Sequence, residues 1–169
     1  VLLYTDASMV MVDDPRRLLI TLKKQDIGCF SVYGFKEEDW SKKLAIDSVG
    51  VSLDGTDPWQ RSATFMVVRK SNKSMIFFQD LLDLCKKKEL IDNTKLSTHS
   101  TFKFHRNDQS LFSLLSKAQS FESYRDPSQF GNHILDKFNN SPYPQIFDLV
   151  RDNHLPLIER VKKSIFPRL

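Results

Sequence analysis

The sequence predicts an α/β fold in which helices pack on a sheet. Two observations carry this reading. Apolar, β-prone runs alternate with segments of helical periodicity across short links. The 169 residues, 40% apolar and 27% charged with thirteen Phe, suffice for one core and fall short of two ordinary domains.

The elements follow in order. Residues 1–4 (Val-Leu-Leu-Tyr) form a buried, central strand, and 9–12 extend or flank it. Asp13-Asp14-Pro15 starts a helix, with an Asp cap and Pro in the first turn. Residues 16–25 continue it, with Leu18, Leu19 and Leu22 inward. Gly28 ends the turn before a strand at 29–33. Residues 37–45 form a helix whose acidic first turn suits the macrodipole. Asp54-Gly55-Thr56-Asp57-Pro58 is a loop, and 64–69 a strand. Residues 71–88 form a long helix with Ile76, Phe77, Leu81, Leu84 and Cys85 as its core stripe. Residues 92–101 are loop, 108–118 helix and 121–124 a short strand. Asn139-Asn140-Ser141-Pro142-Tyr143-Pro144 is a linker. A helical tail at 145–166 follows, interrupted near Pro156. The division is therefore a main domain at 1–138 and a linker plus tail at 139–169.

Charge and cysteine content narrow the function classes. A net charge of +4 with dispersed lysine pairs reads as solvated helix faces, without the basic stripe of a nucleic-acid reader. Cys29 and Cys85 lack zinc-ligand spacing; two thiols fit a reducing compartment, with one disulfide left open. The apolar runs are far too short for a membrane span. No signal peptide is visible, and the chain opens without Met inside a predicted strand. It therefore reads as lacking a preceding nucleotide-binding part, with cytoplasm and Golgi lumen both open as locations.

The segment His105-Arg106-Asn107-Asp108-Gln109-Ser110 sets a polar cluster at the mouth of an apolar helix. Asn107 or Asp108 caps that helix, and Leu111, Leu114 and Leu115 bury its inner stripe. A helix N-terminus with donors and a carboxylate suits a phosphate or sugar; an ordinary capped helix has the same signature. Asp6, after the first strand, falls where α/β proteins bind ligands, although turn residues are often Asp too. Asp57-Pro58 sets Trp59 and Gln60 near a sheet edge, with Trp59 as either sugar platform or boundary residue.

These places together resemble a family. Tyr4-Thr5-Asp6-Ala7-Ser8 resembles the Tyr-x-Asp-Ala-Gly segment of a group of glycosyltransferase-like proteins. Glu37-Glu38-Asp39-Trp40-Ser41-Lys42 is similar to its Glu-x-x-Trp-Thr-Lys segment, and Gln60-Arg61-Ser62-Ala63 to its Gln-x-x-Ala strand. His105 to Ser110 is similar to His-Arg-His-Asp-Gln-Ser. Arg125 to Gly131 matches Arg-Asp-Pro-Ser-Gln-Phe-Gly. The departures are Ser8 for Gly and Asn107 for His.

The resemblance implies a GT-A type mixed sheet flanked by helices, a nucleotide-sugar donor and a glycan or other acceptor. It implies Asp108 and Gln109 beside the transferred sugar, with Asp108 either binding hydroxyls or acting as base. His105, Arg106, Ser110, Trp59, Gln60 and Asp6 complete the expected substrate site, with Arg106 on phosphate or in a surface ion pair. It also implies a divalent cation, manganese or magnesium, on Asp6. Ser8 leaves the usual carboxylate pair incomplete, and His133 or His154 is the expected distal ligand. The rival readings are a catalytically degenerate glycan- or protein-binding domain and, lower, a hydrolase using Asp6 and Asp108 as a carboxylate pair.

Overall fold

The computed structural model describes residues 1–55, 57–93 and 100–150. The described residues form seven strands: β1 Leu2–Thr5, β2 Met9–Met11, β3 Ile27–Lys36, β4 Trp59–Arg61, β5 Phe65–Val68, β6 Ser123–Arg125 and β7 Phe147–Leu149. The α-helices are α1 Glu37–Trp40, α2 Lys43–Val49, α3 Asn72–Cys85, α4 Lys88–Ile91 and α5 Asn107–Ala118; 3-10 helices span Pro15–Leu22 and Gln129–Lys137. The main sheet runs β1-β5-β3-β4, with β6 also on β3. Only the β3–β6 pairing is parallel; β1–β5, β3–β5 and β3–β4 are antiparallel. The architecture is thus mixed α/β with a mixed sheet flanked by helices.

β3 is the central strand, and its two-residue period sorts the core. Ile27 and Cys29 face α3 and α5 with Phe77, Phe112 and Leu115. Phe30 faces the other way, with Leu18, Leu22, Phe65, Tyr143, Ile146 and Phe147. A Cβ on Gly28 would lie 2.3 Å from Thr21 Oγ1, so glycine lets the first 3-10 helix rest on β3. A third cluster joins Ala45, Ile46, Leu90, Leu111 and Leu114 between α2, α4 and α5.

α5 lies in the middle of these layers, with every residue from Gln109 to Lys117 buried. Its leucines and Phe112 fill the apolar side. Its other side carries Ser110, Ser113 and Ser116, three residues apart, which bond β4 and α1. Ser113 Oγ accepts from Arg61 N at 2.8 Å and donates to Glu37 at 2.5 Å. Ser116 Oγ accepts from Arg61 Nη1 at 2.8 Å. The side chains of Lys117 and Glu37, each 1% exposed, pair at 2.8 Å.

Several expectations are corrected. β1 is an edge strand, not a central one, with Leu2 63% and Tyr4 44% exposed. Residues 9–11 pair with β7 in a separate two-stranded sheet. The 16–25 helix is a shorter 3-10 turn, and Leu19 faces out. The 37–45 helix breaks at Ser41-Lys42 into α1 and α2, because both residues are buried in polar contacts. The long helix starts after Ser71, whose capping box with Ser74 fixes its entry, and Ile76 is exposed. Residues 129–137, expected as neither helix nor strand, form two 3-10 turns joined by a kink at Ile134. The 139–144 stretch is packed rather than extended. Tyr143 is buried, its hydroxyl donates to the Arg125 carbonyl, and Ser141 Oγ accepts from Arg125 N at 2.9 Å. The expected tail begins with β7 instead of a helix; its part from 151 onward lies outside the described residues.

Candidate functional site

The mouth of α5 opens on a cleft of about 350 Å³ lined by Tyr4, Asp6, Trp40, Thr64, Phe104, Arg106, Asp108 and Gln109, among others. Asp6 is therefore brought together with Arg106, Asp108 and Gln109 from a distant part of the chain. Asp6 hangs off β1 where its N donates to the Thr64 carbonyl at 2.9 Å. The Tyr4 hydroxyl donates to Asp6 Oδ1 at 3.0 Å. That bond, the Asp6 charge and the nearby Asp108 charge together raise the Tyr4 phenol above its usual range.

Asp108 is exposed in the first turn of α5. The expected side-chain cap is corrected: Arg106 occupies the N-cap, and neither Asn107 nor Asp108 caps the helix. Asn107 takes φ +48, a left-handed conformation that Asn tolerates better than most residues. Ser110 Oγ accepts from Arg106 N at 3.0 Å instead, so the helix entry is closed from inside. Asp108 is left facing the cleft. The Arg106 guanidinium sits 5.2 Å from the Phe35 ring centre and 6.0 Å from Trp40.

Gln109 is held rigidly. Gln60 Nε2 lies 3.0–3.1 Å from Trp40 O, Ser41 Oγ and Ser110 Oγ, and its two protons are shared among these acceptors. Its Oε1 must then accept, and it accepts from Gln109 Nε2 at 3.2 Å. Gln109 Oε1 in turn faces Ala63 N at 3.5 Å. Gln60 does lie on an end strand of the sheet, β4, but it is fully buried and supports Gln109 instead of facing the cleft. Ser110 is buried too, and acts as a strut.

His105 and Trp59 are placed differently from the expectation. His105 is fully buried beneath the cleft, and its Nδ1 accepts from Lys42 N at 3.2 Å. Burial first, and the Lys42 charge second, bring its pKa down to about 4, so it is neutral. Trp59 lines neither this cleft nor its neighbour; its ring packs on Tyr33 at 4.7 Å. His133 borders the neighbouring cavity, away from Asp6, and His154 lies outside the described residues.

The donor set does not fit the expected cation. Among the described residues no group of three His, Cys, Asp or Glu side chains could hold a metal. Asp6 and Asp108 are the carboxylates of the cleft, and Asp6 already accepts from Tyr4. Cys29 and Cys85 are free thiols, and burial pushes Cys29 up to about 11.

Sequence reasoning missed Ser113, Ser116, Glu37 and Lys117, which carry α5, and Trp40, Phe104 and Thr64, which line the cleft. The serine spacing was a legible signal: three serines at i, i+3 and i+6 mark a face as surely as leucines do. No helix of the described residues is long and apolar enough to cross a membrane. Compared with known proteins, the chain matches no protein-family profile, no curated protein and no solved structure.

Proposed function

We propose that the chain is a glycosyltransferase-type domain that binds a nucleotide sugar at the mouth of α5 and passes the sugar to a glycan or other alcohol acceptor. The observation that supports this most is the convergence of Asp6, Arg106, Asp108 and Gln109 on one cleft edged by Trp40 and Phe104. Carboxylates and a fixed amide accept and donate to sugar hydroxyls, while aromatic rings pack against sugar C–H faces. An arginine at a helix mouth suits the diphosphate. In transfer, the bond from the anomeric carbon to the phosphate breaks with its electron pair leaving on the diphosphate. Asp108 holds the sugar hydroxyls, and the Gln109 amide steadies the positive charge that develops at the anomeric centre. No step is assigned to a cation.

A second reading, a sugar-binding domain without transfer, is favoured by the thin metal donor set and by the Tyr4 bond to Asp6. Titration with UDP-glucose, UDP-N-acetylglucosamine and GDP-mannose, with and without manganese, tests both. Sugar release is measured alongside. Transfer activity or hydrolysis that falls at least about tenfold in Asp108→Asn, the loss expected for a hydrogen bond to a charged group, supports the enzyme. Binding without release supports the second reading. Asp108→Asn indistinguishable from wild type in both assays overturns the site.

A further inference from the structure

Beside the first cleft lies a second cavity of about 280 Å³, and the two share Thr64, Arg106 and Gln109 as a common wall. Its character is different. Tyr33, Phe35 and Phe130 present rings, and a buried carboxylate, Asp126, lies among its lining. We infer that this cavity is the acceptor subsite, and that it takes a neutral ring-faced alcohol whose hydroxyl donates to Asp126. The inference rests on the transferase reading above.

The site is built rather than incidental. β3 leaves its register with β4 after Ser31: Ser31 faces Arg61, but Lys36 faces Trp59. The extra residues carry Tyr33 and Phe35 to the cavity, and Gly34 at φ +90 permits the path. From the other side, Asp126 is only 8% exposed. Its Oδ1 accepts from Ser128 N at 2.7 Å and from Ser128 Oγ at 2.6 Å. Among the described residues nothing donates to its Oδ2. That oxygen is not sealed like the buried polar atoms that lack a partner; it belongs to a residue that lines the cavity, and is open to a donor that enters there. Burial also raises its pKa above the ordinary carboxylate range, as suits a proton acceptor. Gly131 clamps the segment: a Cβ there would lie 1.9 Å from the Asp126 carbonyl oxygen.

The step balances across the shared wall. The acceptor oxygen bonds to the anomeric carbon of the nucleotide sugar. The bond from that carbon to the diphosphate breaks, its electron pair leaving with the nucleoside diphosphate. The acceptor's hydroxyl proton passes to Asp126. A sugar hydroxyl and an aryl alcohol share the required chemistry, a ring face beside an O–H donor.

The two tryptophans of the chain report the two cavities. Trp40 lines the first, while Trp59 packs on Tyr33 of the second. The intact chain is titrated with benzyl alcohol and with methyl β-galactoside, following Trp59 emission in a Trp40→Phe background. Nucleotide sugars are titrated in a Trp59→Phe background. A saturable Trp59 response to either alcohol, weakened about tenfold by Asp126→Asn and also by Phe130→Ala, is expected. The alcohol that responds identifies the acceptor class. Phe130 is 55% exposed, so its variant tests the cavity even if Asp126→Asn misfolds. A Trp40 response to a nucleotide sugar with no Trp59 response to either alcohol overturns the acceptor subsite alone. A Trp59 response with no Trp40 response to any nucleotide sugar overturns the donor reading, and with it the acceptor role. A Trp59 response unchanged in both variants overturns the assigned cavity.

Discussion

Two carboxylates touch α5 and live in opposite surroundings. Glu37 is sealed against the helix interior, where Lys117 and Ser113 bond one oxygen and Ser41 Oγ the other. Asp108 stands at the helix mouth, exposed, with water and the cleft in front of it. The first charge belongs to the architecture, because an ion taken from water must be matched on the spot. The second is free of structural duty and is available to a ligand. Position along one helix, within three turns, separates a strut from a candidate reactive group.

The sharpest way to break this contrast is Lys117→Met. It leaves Glu37 buried without its cation, and a loss of about 3–5 kcal/mol in urea unfolding is expected. The double variant Glu37→Leu/Lys117→Met should recover much of that loss. A single variant that costs almost nothing would show that water reaches the pair. Gly131→Ala comes next, at about 1–3 kcal/mol for overpacking. Its Cβ meets backbone, not a flexible side chain. The damage should appear at Asp126 in the second cavity before it reaches the α5 mouth, read by comparing Trp59 with Trp40 emission.

His105 sharpens the comparison through pH. Its ring is held neutral with a pKa of about 4, below the ordinary 6.5 of an unfolded histidine. The unfolded chain therefore binds more protons in that window. Stability should fall as pH drops from about 6.5 to about 4. Melting temperatures across that window check it, and His105→Gln should flatten this part of the curve. The smallest effect expected is that of Asp108→Asn on stability, within about ±0.5 kcal/mol as for an ordinary surface position. A large destabilisation there would make Asp108 a strut like Glu37 and remove the contrast.

Local sequence determined the elements whose signals are local. The apolar run at 65–68, the leucine spacing of α5 and the Asp14-Pro15 start all became structure close to where periodicity and capping place them. Asp6, after the first strand, and Asp108-Gln109, at a helix mouth, are expected near one another because ligand sites gather at strand ends, and all three line one cleft. What the sequence did not disclose depends on partners remote in the chain. Gln60 became a buried support and Trp59 a partner of Tyr33 because β4 pairs with β3 across a register shift. Residues 139–144 look like a linker by composition. Arg125 and the Phe30 cluster draw them into the core. β1 reads as buried by composition alone, yet among the described residues only β5 pairs with it. Hydrophobic period and capping act over a few residues and are written in the sequence itself. Burial of a polar or aromatic side chain depends on which distant groups complete its bonds and packing, and only the tertiary structure decides that.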